Sequence, residues 1–255
     1  MNLIHPMKSI EQPFDADPQK SYTMAARYYT DENIYQQEKA DIFWQSWVYI
    51  GHSSQLKDAG DYITANLHGQ EVMVVRDQEG QLGAFFNVCP HRGHQLLTGC
   101  GNTRAIVCPY HSWCFDQQGQ FLRGRNLQDL KDFSNHEFNL KPVNTEQFLG
   151  FIFVNLDPNA KPMTQIYEGL KQEIEHYVPQ IDQIERQYHA DYKVAANWKL
   201  LVDNFLECYH CNTAHKDFVD LVDMPSYQTK TYARYSSHIS HQPSKANSKA
   251  YPVQG

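Results

Sequence analysis

No stretch of the 255 residues is apolar for long enough to cross a bilayer, which takes about 20 consecutive apolar residues as a helix. The opening Met1-Asn2-Leu3-Ile4-His5-Pro6 also lacks the apolar centre of a secretory signal. Neither a membrane-spanning nor a secreted protein is expected. The chain is read as cytoplasmic, with its cysteines at 89, 100, 108, 114, 208 and 211 kept as thiols. An excess of positive charge is missing too: 22 Lys and Arg stand against 29 Asp and Glu, a net charge of −7. Such a balance argues against nucleic acid as a general partner and is compatible with a small cationic substrate. Internal repeats and low-complexity tracts are absent. So are carboxylates near the end, where no Asp or Glu occurs from Met224 to Gly255. With 41% apolar and 20% charged residues, the length suits one large domain or two of ordinary size.

What is present begins with two short strings, Cys89-Pro90-His91-Arg92-Gly93-His94 and Cys108-Pro109-Tyr110-His111-Ser112-Trp113. Each offers one thiolate and one imidazole, the mixed set that holds a [2Fe–2S] cluster with cysteines on one iron and histidines on the other. Cys89 and His91 are two apart, Cys108 and His111 three apart, so each string can give its sulfur to the inner iron and its nitrogen to the outer. Pro90 and Pro109 fix φ, and Gly93 admits a turn that a side chain would block. A Cys2His2 zinc site takes the same donors, although structural zinc more often pairs Cys with Cys and His with His. Two cysteines beside two histidines in ordinary tight turns are the plain alternative.

Along the chain, Pro6, Pro13 and Pro18 make residues 1–29 an extended arm. A helix is predicted from Asp31 to Trp47, capped by Thr30 or Asp31. Strands are predicted over Asp61–Asn66, Glu71–Arg76, Gly83–Val88, Ala105–Val107 and Phe148–Asn155. A Gly119 turn joins Cys114–Asp116 to Gln120–Leu122, and the two Cys/His strings sit at hairpin tips. Ile166, Leu170, Ile174, Tyr177 and Val178 recur at helical spacing and stop at Pro179, with a strand expected over Gln187–Val194. The polar stretch His238–Gly255 reads as an ending without a core.

The second informative stretch is Asp203-Asn204-Phe205-Leu206-Glu207-Cys208-Tyr209-His210-Cys211-Asn212-Thr213-Ala214-His215. On a continuous helix Asp203, Glu207 and His210 would fall within about 60° of one another. Two carboxylates and an imidazole on one face are costly to bury without a metal or full hydrogen bonding. Cys208, Cys211, His210 and His215 could instead bind zinc, though Cys208 and His210 would point apart on a helix. Hydrogen-bonded core histidines are the plain reading.

The two Cys/His strings resemble those of the Rieske oxygenase family, and the resemblance continues through most of the chain. Respiratory Rieske proteins are less similar: they carry an extra cysteine in each loop, where this chain has His94 and Tyr110, so no disulfide between the loops is expected. The resemblance implies an α+β fold, an antiparallel β Rieske [2Fe-2S] domain followed by the first part of a helix-grip catalytic domain. Its expected boundaries are 1–44 for an N-terminal arm and helix, 45–156 for the cluster domain and 157–255 for the partial catalytic domain. It implies Cys89, His91, Cys108 and His111 as cluster ligands, and His210 and His215 as two donors of a two-histidine, one-carboxylate Fe(2+) site. Glu207 matches the carboxylate that in the family links the iron site of one subunit to the cluster of its neighbour, and with Asp203 it forms the candidate catalytic pair. Glutamate there is more similar to the carnitine, choline and glycine betaine monooxygenases than to the ring-hydroxylating dioxygenase alpha subunits, which usually carry aspartate.

The function so implied is the oxygenase component of a Rieske-type monooxygenase. An NAD(P)H-driven reductase of flavin or ferredoxin type would supply electrons, O2 would be activated at the iron, and a quaternary ammonium substrate would lose a methyl group or break at C–N. A homotrimer is implied at full length. The family's third iron ligand, an aspartate well downstream, has no match, since Asp217, Asp220 and Asp223 lie too near. The chain is therefore expected to be truncated. An aromatic-ring dioxygenase subunit, or a chain acting only as a Rieske electron carrier, are the alternatives.

Overall fold

The computed structural model describes residues 17, 20, 22–127 and 133–241. Most of the expected arm, residues 1–16, and most of the expected tail, 242–255, lie outside the described residues. The chain divides into two compact units, 36–190 and 1–35 with 191–255.

A short helix α1 (Arg27–Thr30) precedes α2 (Glu32–Asp41). Asp31 caps α2, its carboxylate accepting the Asn33 amide at 2.8 Å, which satisfies one of the orphan donors at a helix start. The helix stops short of Trp47, and Phe43–Gln45 tighten into a single 3-10 turn.

The unit 36–190 is built on a seven-stranded antiparallel sheet. Its strands are β1 (Val48–His52), β2 (Asp61–Leu67), β3 (Gln70–Arg76), β4 (Leu82–Phe86), β5 (Cys100–Asn102), β9 (Pro142–Phe148) and β10 (Phe151–Asn155), in the order β1-β10-β9-β4-β3-β2-β5. Between β5 and β9 the chain makes a smaller sheet of β6 (Ile106–Val107), β7 (Cys114–Phe115) and β8 (Phe121–Arg123). In β3 the residues Val72 to Val75 are all fully buried, because the strand is central and covered on both faces. Alternation then sorts them: Val72 and Val74 enter one core with Leu56, Ile63, Ile152 and Val154. Met73 and Val75 enter the other with Phe85, Cys89, Cys108 and Trp113. That second core is the floor under the two Cys/His loops.

Phe148–Asn155 is not one strand. The chain reverses at Leu149 and Gly150, both at positive φ (53° and 86°), so that Phe148 pairs with Phe151 in a two-residue hairpin. The predicted helix after Asp157 is likewise two, α3 (Met163–Ile166) and α4 (Leu170–Tyr177), broken where Gly169 turns left-handed at φ 83°. The strand expected over Gln187–Val194 does not form. Its alternating Tyr188, Tyr192 and Val194 are all exposed, and no strand pairs with it among the described residues.

In the other unit, α5 (Trp198–Phe205) is followed by α6 (Cys211–Ala214), α7 (Lys216–Val219) and the hairpin of β11 (Gln228–Thr231) with β12 (Ser236–Ile239). Asn197 caps α5 through the Lys199 amide at 3.1 Å. The supposed ending from His238 thus begins inside a paired strand. Among the described residues no helix is long and apolar enough to cross a membrane.

Candidate metal centres

The two Cys/His loops share one backbone design. In the first, the Cys89 amide donates to the His94 carbonyl at 2.8 Å and the Gly93 amide to the Cys89 carbonyl at 2.9 Å. In the second, Cys108 to Trp113 and Ser112 to Cys108 repeat both bonds at 2.8 and 2.9 Å. Gly93 and Ser112 occupy equivalent places and both take positive φ, 72° and 61°. The Cys108 loop is a true hairpin tip, since β6 pairs with β7. The Cys89 loop joins strands that are not neighbours, and is closed instead by a single bridge between Val88 and Gln95. Histidine stands two residues after cysteine in one loop and three in the other, so the shared backbone sends the two rings to a common place from different positions.

Cys89 and Cys108 are 2% and 1% exposed, and both belong to the same core. Burial pushes the Cys89 thiol up to about 11, so a free thiolate is disfavoured unless a cation compensates it. His91 and His111 meet edge to face with ring centroids 4.7 Å apart. Burial, then the neighbouring His111 and Arg92, holds His91 below the usual histidine range and therefore neutral, the form that ligates metal. Nδ1 of His91 and Nδ1 of His111 are both buried without a hydrogen-bond partner. Two orphaned nitrogens beside two buried sulfurs fit a [2Fe–2S] cluster, which removes the penalty for leaving them unmet. Among the described residues no three His, Cys, Asp or Glu side chains are gathered for one ion, whereas such a cluster asks for two protein donors per iron. Each ring also has an aromatic neighbour: Trp113 stacks on His91 at 4.7 Å and 6°, and Tyr110 leans on His111 at 3.8 Å. Cys100 is exposed on β5 and Cys114 is buried in β7.

The second constellation differs from its prediction. The helix ends at Phe205, so Asp203, Glu207 and His210 do not share one helical face. Glu207 and His210 still meet, through a turn: His210 Nδ1 lies 2.5 Å from Glu207 Oε1, and the other oxygen accepts the Tyr209 amide. The bonded His210 ring holds the Glu207 carboxyl below its usual range. Asp203 turns elsewhere and accepts the Tyr29 hydroxyl at 2.7 Å. Cys208 and Cys211 are joined in a disulfide that closes this turn, against the expectation of free thiols, and as a disulfide they are not available to zinc. His210 and His215 face each other with ring centroids 5.0 Å apart. Asn204, not singled out from the sequence, reaches His210 Nε2 at 3.0 Å, the nitrogen a metal would take once Nδ1 donates to Glu207. The histidine pair fits two donors of an iron site. These groups line a cavity of about 570 Å³ with Phe205, Phe218 and Tyr227. Tyr227 lay beyond sequence reasoning, being brought in by the β11–β12 hairpin.

Residues 46–134 match the Rieske [2Fe-2S] domain, and residues 181–253 match the ring hydroxylating alpha subunit (catalytic domain). The carnitine monooxygenase oxygenase subunit of Escherichia coli (strain K12) is 39% identical over 228 residues, covering 89% of this chain and 61% of the relative. The glycine betaine monooxygenase oxygenase subunit of Pseudomonas aeruginosa is 30% identical over 200 residues, 78% of this chain and 46% of the relative. Among solved structures, a quaternary ammonium Rieske monooxygenase in complex with L-carnitine superposes with a TM-score of 0.85 at 34% identity, over 89% of this chain and 65% of that one. The chain thus spans less than two thirds of the length of these relatives. With both domains matched in order and the cluster loops built as described, the chain belongs to the Rieske oxygenase alpha subunits and is similar to their carnitine and glycine betaine monooxygenase group.

Proposed function

We propose that this chain is the cluster-bearing part of a monooxygenase oxygenase component acting on a quaternary ammonium substrate. The observation that carries the reading is the pair of orphaned, buried Nδ1 atoms beside two buried thiols. Cys89, His91, Cys108 and His111 would hold the cluster, and His210 and His215 would give two donors to mononuclear iron. When bound, the cluster supplies single electrons and the iron activates O2.

The residues of the chain prepare the site. Glu207 fixes the His210 ring through Nδ1 and leaves Nε2 for metal, with the Tyr209 amide holding the carboxylate in place. By its match to the family's carboxylate, Glu207 also serves as the link toward a neighbouring subunit's cluster. Asp203 enters as a positioning residue through Tyr29. Phe205, Phe218 and Tyr227 give the cavity aromatic walls, which favour a trimethylammonium group through the negative faces of their rings. The similarity to carnitine and glycine betaine enzymes supports that substrate class. The same proposal includes an NAD(P)H-driven reductase as partner, a homotrimer and a cytoplasmic setting, with domain limits near 45–156 and 157–255.

A second reading, an electron carrier with the cluster alone, is favoured by one observation: among the described residues no third donor joins His210 and His215. Metal analysis separates the two. About three irons per chain support the oxygenase and about two the carrier. A panel of betaines and aromatic hydrocarbons, assayed with a surrogate reductase, then tests the substrate class; oxidation of the hydrocarbons in place of the betaines would overturn it.

A further inference from the structure

The cavity beside Glu207 holds a second polar pair. Tyr227, one residue before β11, places its phenolic oxygen 2.5 Å from Nδ1 of His238 on β12. The two strands bring them together by pairing Gln228 with Ile239. Tyr227 lines the cavity and stands edge-on to Phe218, 6.3 Å between centroids. The His238 ring lies 6.0 Å from that of Phe205, and its Nε2 is buried without a partner among the described residues.

The hydrogen bond can run either way, and both ways leave a donor unmet. If the phenol donates to Nδ1, the neutral imidazole carries its proton on the buried Nε2. If Nδ1–H donates to the phenol, the phenolic hydrogen is free, on the side chain that lines the cavity. In the first case the unmet donor is buried and therefore costly; in the second it belongs to a side chain that lines the cavity, where a ligand can supply the acceptor. Burial and the nearby Glu207 charge raise the Tyr227 hydroxyl above its ordinary range, so at neutral pH it remains a donor. Glu207 is the obvious rival for that hydrogen, but its oxygens accept from His210 Nδ1 and the Tyr209 amide, and the hydroxyl of Tyr227 is placed on His238 instead.

We propose that Tyr227, oriented by His238, is the group in this cavity that recognises the acceptor end of a zwitterionic substrate, donating its phenolic hydrogen to a carboxylate oxygen while the quaternary ammonium end packs on Phe205 and Phe218. The proposal rests on the quaternary ammonium reading and adds the carboxylate, the feature that sets a betaine apart from a simple ammonium.

The test is equilibrium binding, by calorimetry on the iron-loaded full chain, of 4-(trimethylammonio)butanoate and of butyltrimethylammonium, which lacks the carboxylate. The wild-type chain should prefer the carboxylate. Tyr227→Phe should weaken the carboxylate ligand about tenfold, the loss of one hydrogen bond to a charged group, and leave butyltrimethylammonium unchanged. His238→Ala should weaken the same ligand, and His238→Asn, which keeps a polar partner for the phenol, should recover part of it. An unchanged far-ultraviolet circular dichroism spectrum and unchanged iron content at the second site show that each variant is folded. Equal wild-type affinity for the two ligands, or an equal loss of both in Tyr227→Phe, overturns the role of Tyr227 and leaves the quaternary ammonium reading standing. Failure of both ligands to bind overturns that reading and the proposal together.

Discussion

Gly119→Ala tests whether the floor of the cluster domain is as close-packed as its geometry states. Gly119 turns the chain between β7 and β8 at φ 77°, and its carbonyl accepts the Leu140 amide at 2.8 Å. A Cβ there would stand 2.4 Å from Cε1 of Phe85, a ring that is 6% exposed and packed with Cys89, Cys108 and Trp113. Gly80 provides the control. It has the same φ of 77°, and an added Cβ meets nothing within 4 Å. Left-handed backbone costs an alanine about 1–2 kcal/mol, while the stiffer unfolded chain returns about 0.4–1 kcal/mol. Gly80→Ala should therefore lose about 1 kcal/mol, and Gly119→Ala about 2–4 kcal/mol once the overpacking of Phe85 is added. Urea unfolding followed by tryptophan fluorescence measures both. Cluster absorbance recorded in the same titration should be lost at lower urea for Gly119→Ala. Equal losses in the two variants would show that Phe85 yields freely, and that the rigid floor inferred under the cluster loops is wrong.

His91→Cys should keep a [2Fe–2S] cluster and lower its reduction potential, because a thiolate adds negative charge where a neutral imidazole stood; a redox titration showing no fall would remove His91 from the ligand set. Glu207→Gln should weaken iron at the second site about 10–100-fold in a chelator competition, since the ring of His210 loses its charged acceptor, and cluster content should not change. The hydrogen bond to Asp203, with some help from burial, raises Tyr29 to about 12. The folded chain therefore keeps that proton where the unfolded phenol releases it near its ordinary 10, so the contribution of Tyr29 is complete below pH 10 and is lost as pH rises through about 12. Unfolding midpoints measured across that window should fall in the native chain more steeply than in Tyr29→Phe; parallel curves would exclude the bond as a source of stability.

The cluster loops were legible because everything that makes them is local. Two donors lie within three residues, a proline follows each cysteine, and a turn residue completes each claw. The second stretch was legible in its residues and misread in its shape. The pattern from Asp203 to His210 suits a helix, yet the chain leaves the helix at Phe205, and Glu207 meets His210 through a turn closed by the Cys208–Cys211 disulfide. Asp203 looked like a partner of Glu207 until Tyr29, 174 residues away in sequence, took its carboxylate. The strand expected over Gln187–Val194 failed for a related reason. Alternation marks a surface fit for pairing, but a strand needs a neighbour to take its hydrogen bonds.

By itself the sequence offered Cys89, His91, Cys108 and His111 as candidate cluster donors and indicated the antiparallel character of their domain, since both readings depend on residue type and short spacing, while Glu207, His210 and His215 were candidates for an iron site through the family resemblance. Only the tertiary structure decided the strand order β1-β10-β9-β4-β3-β2-β5, the burial that leaves two imidazole nitrogens unmet, and the arrival of Tyr227 and His238 at the cavity side by side. Those outcomes depend on which distant segments exclude water from one another, and spacing along a chain does not record that.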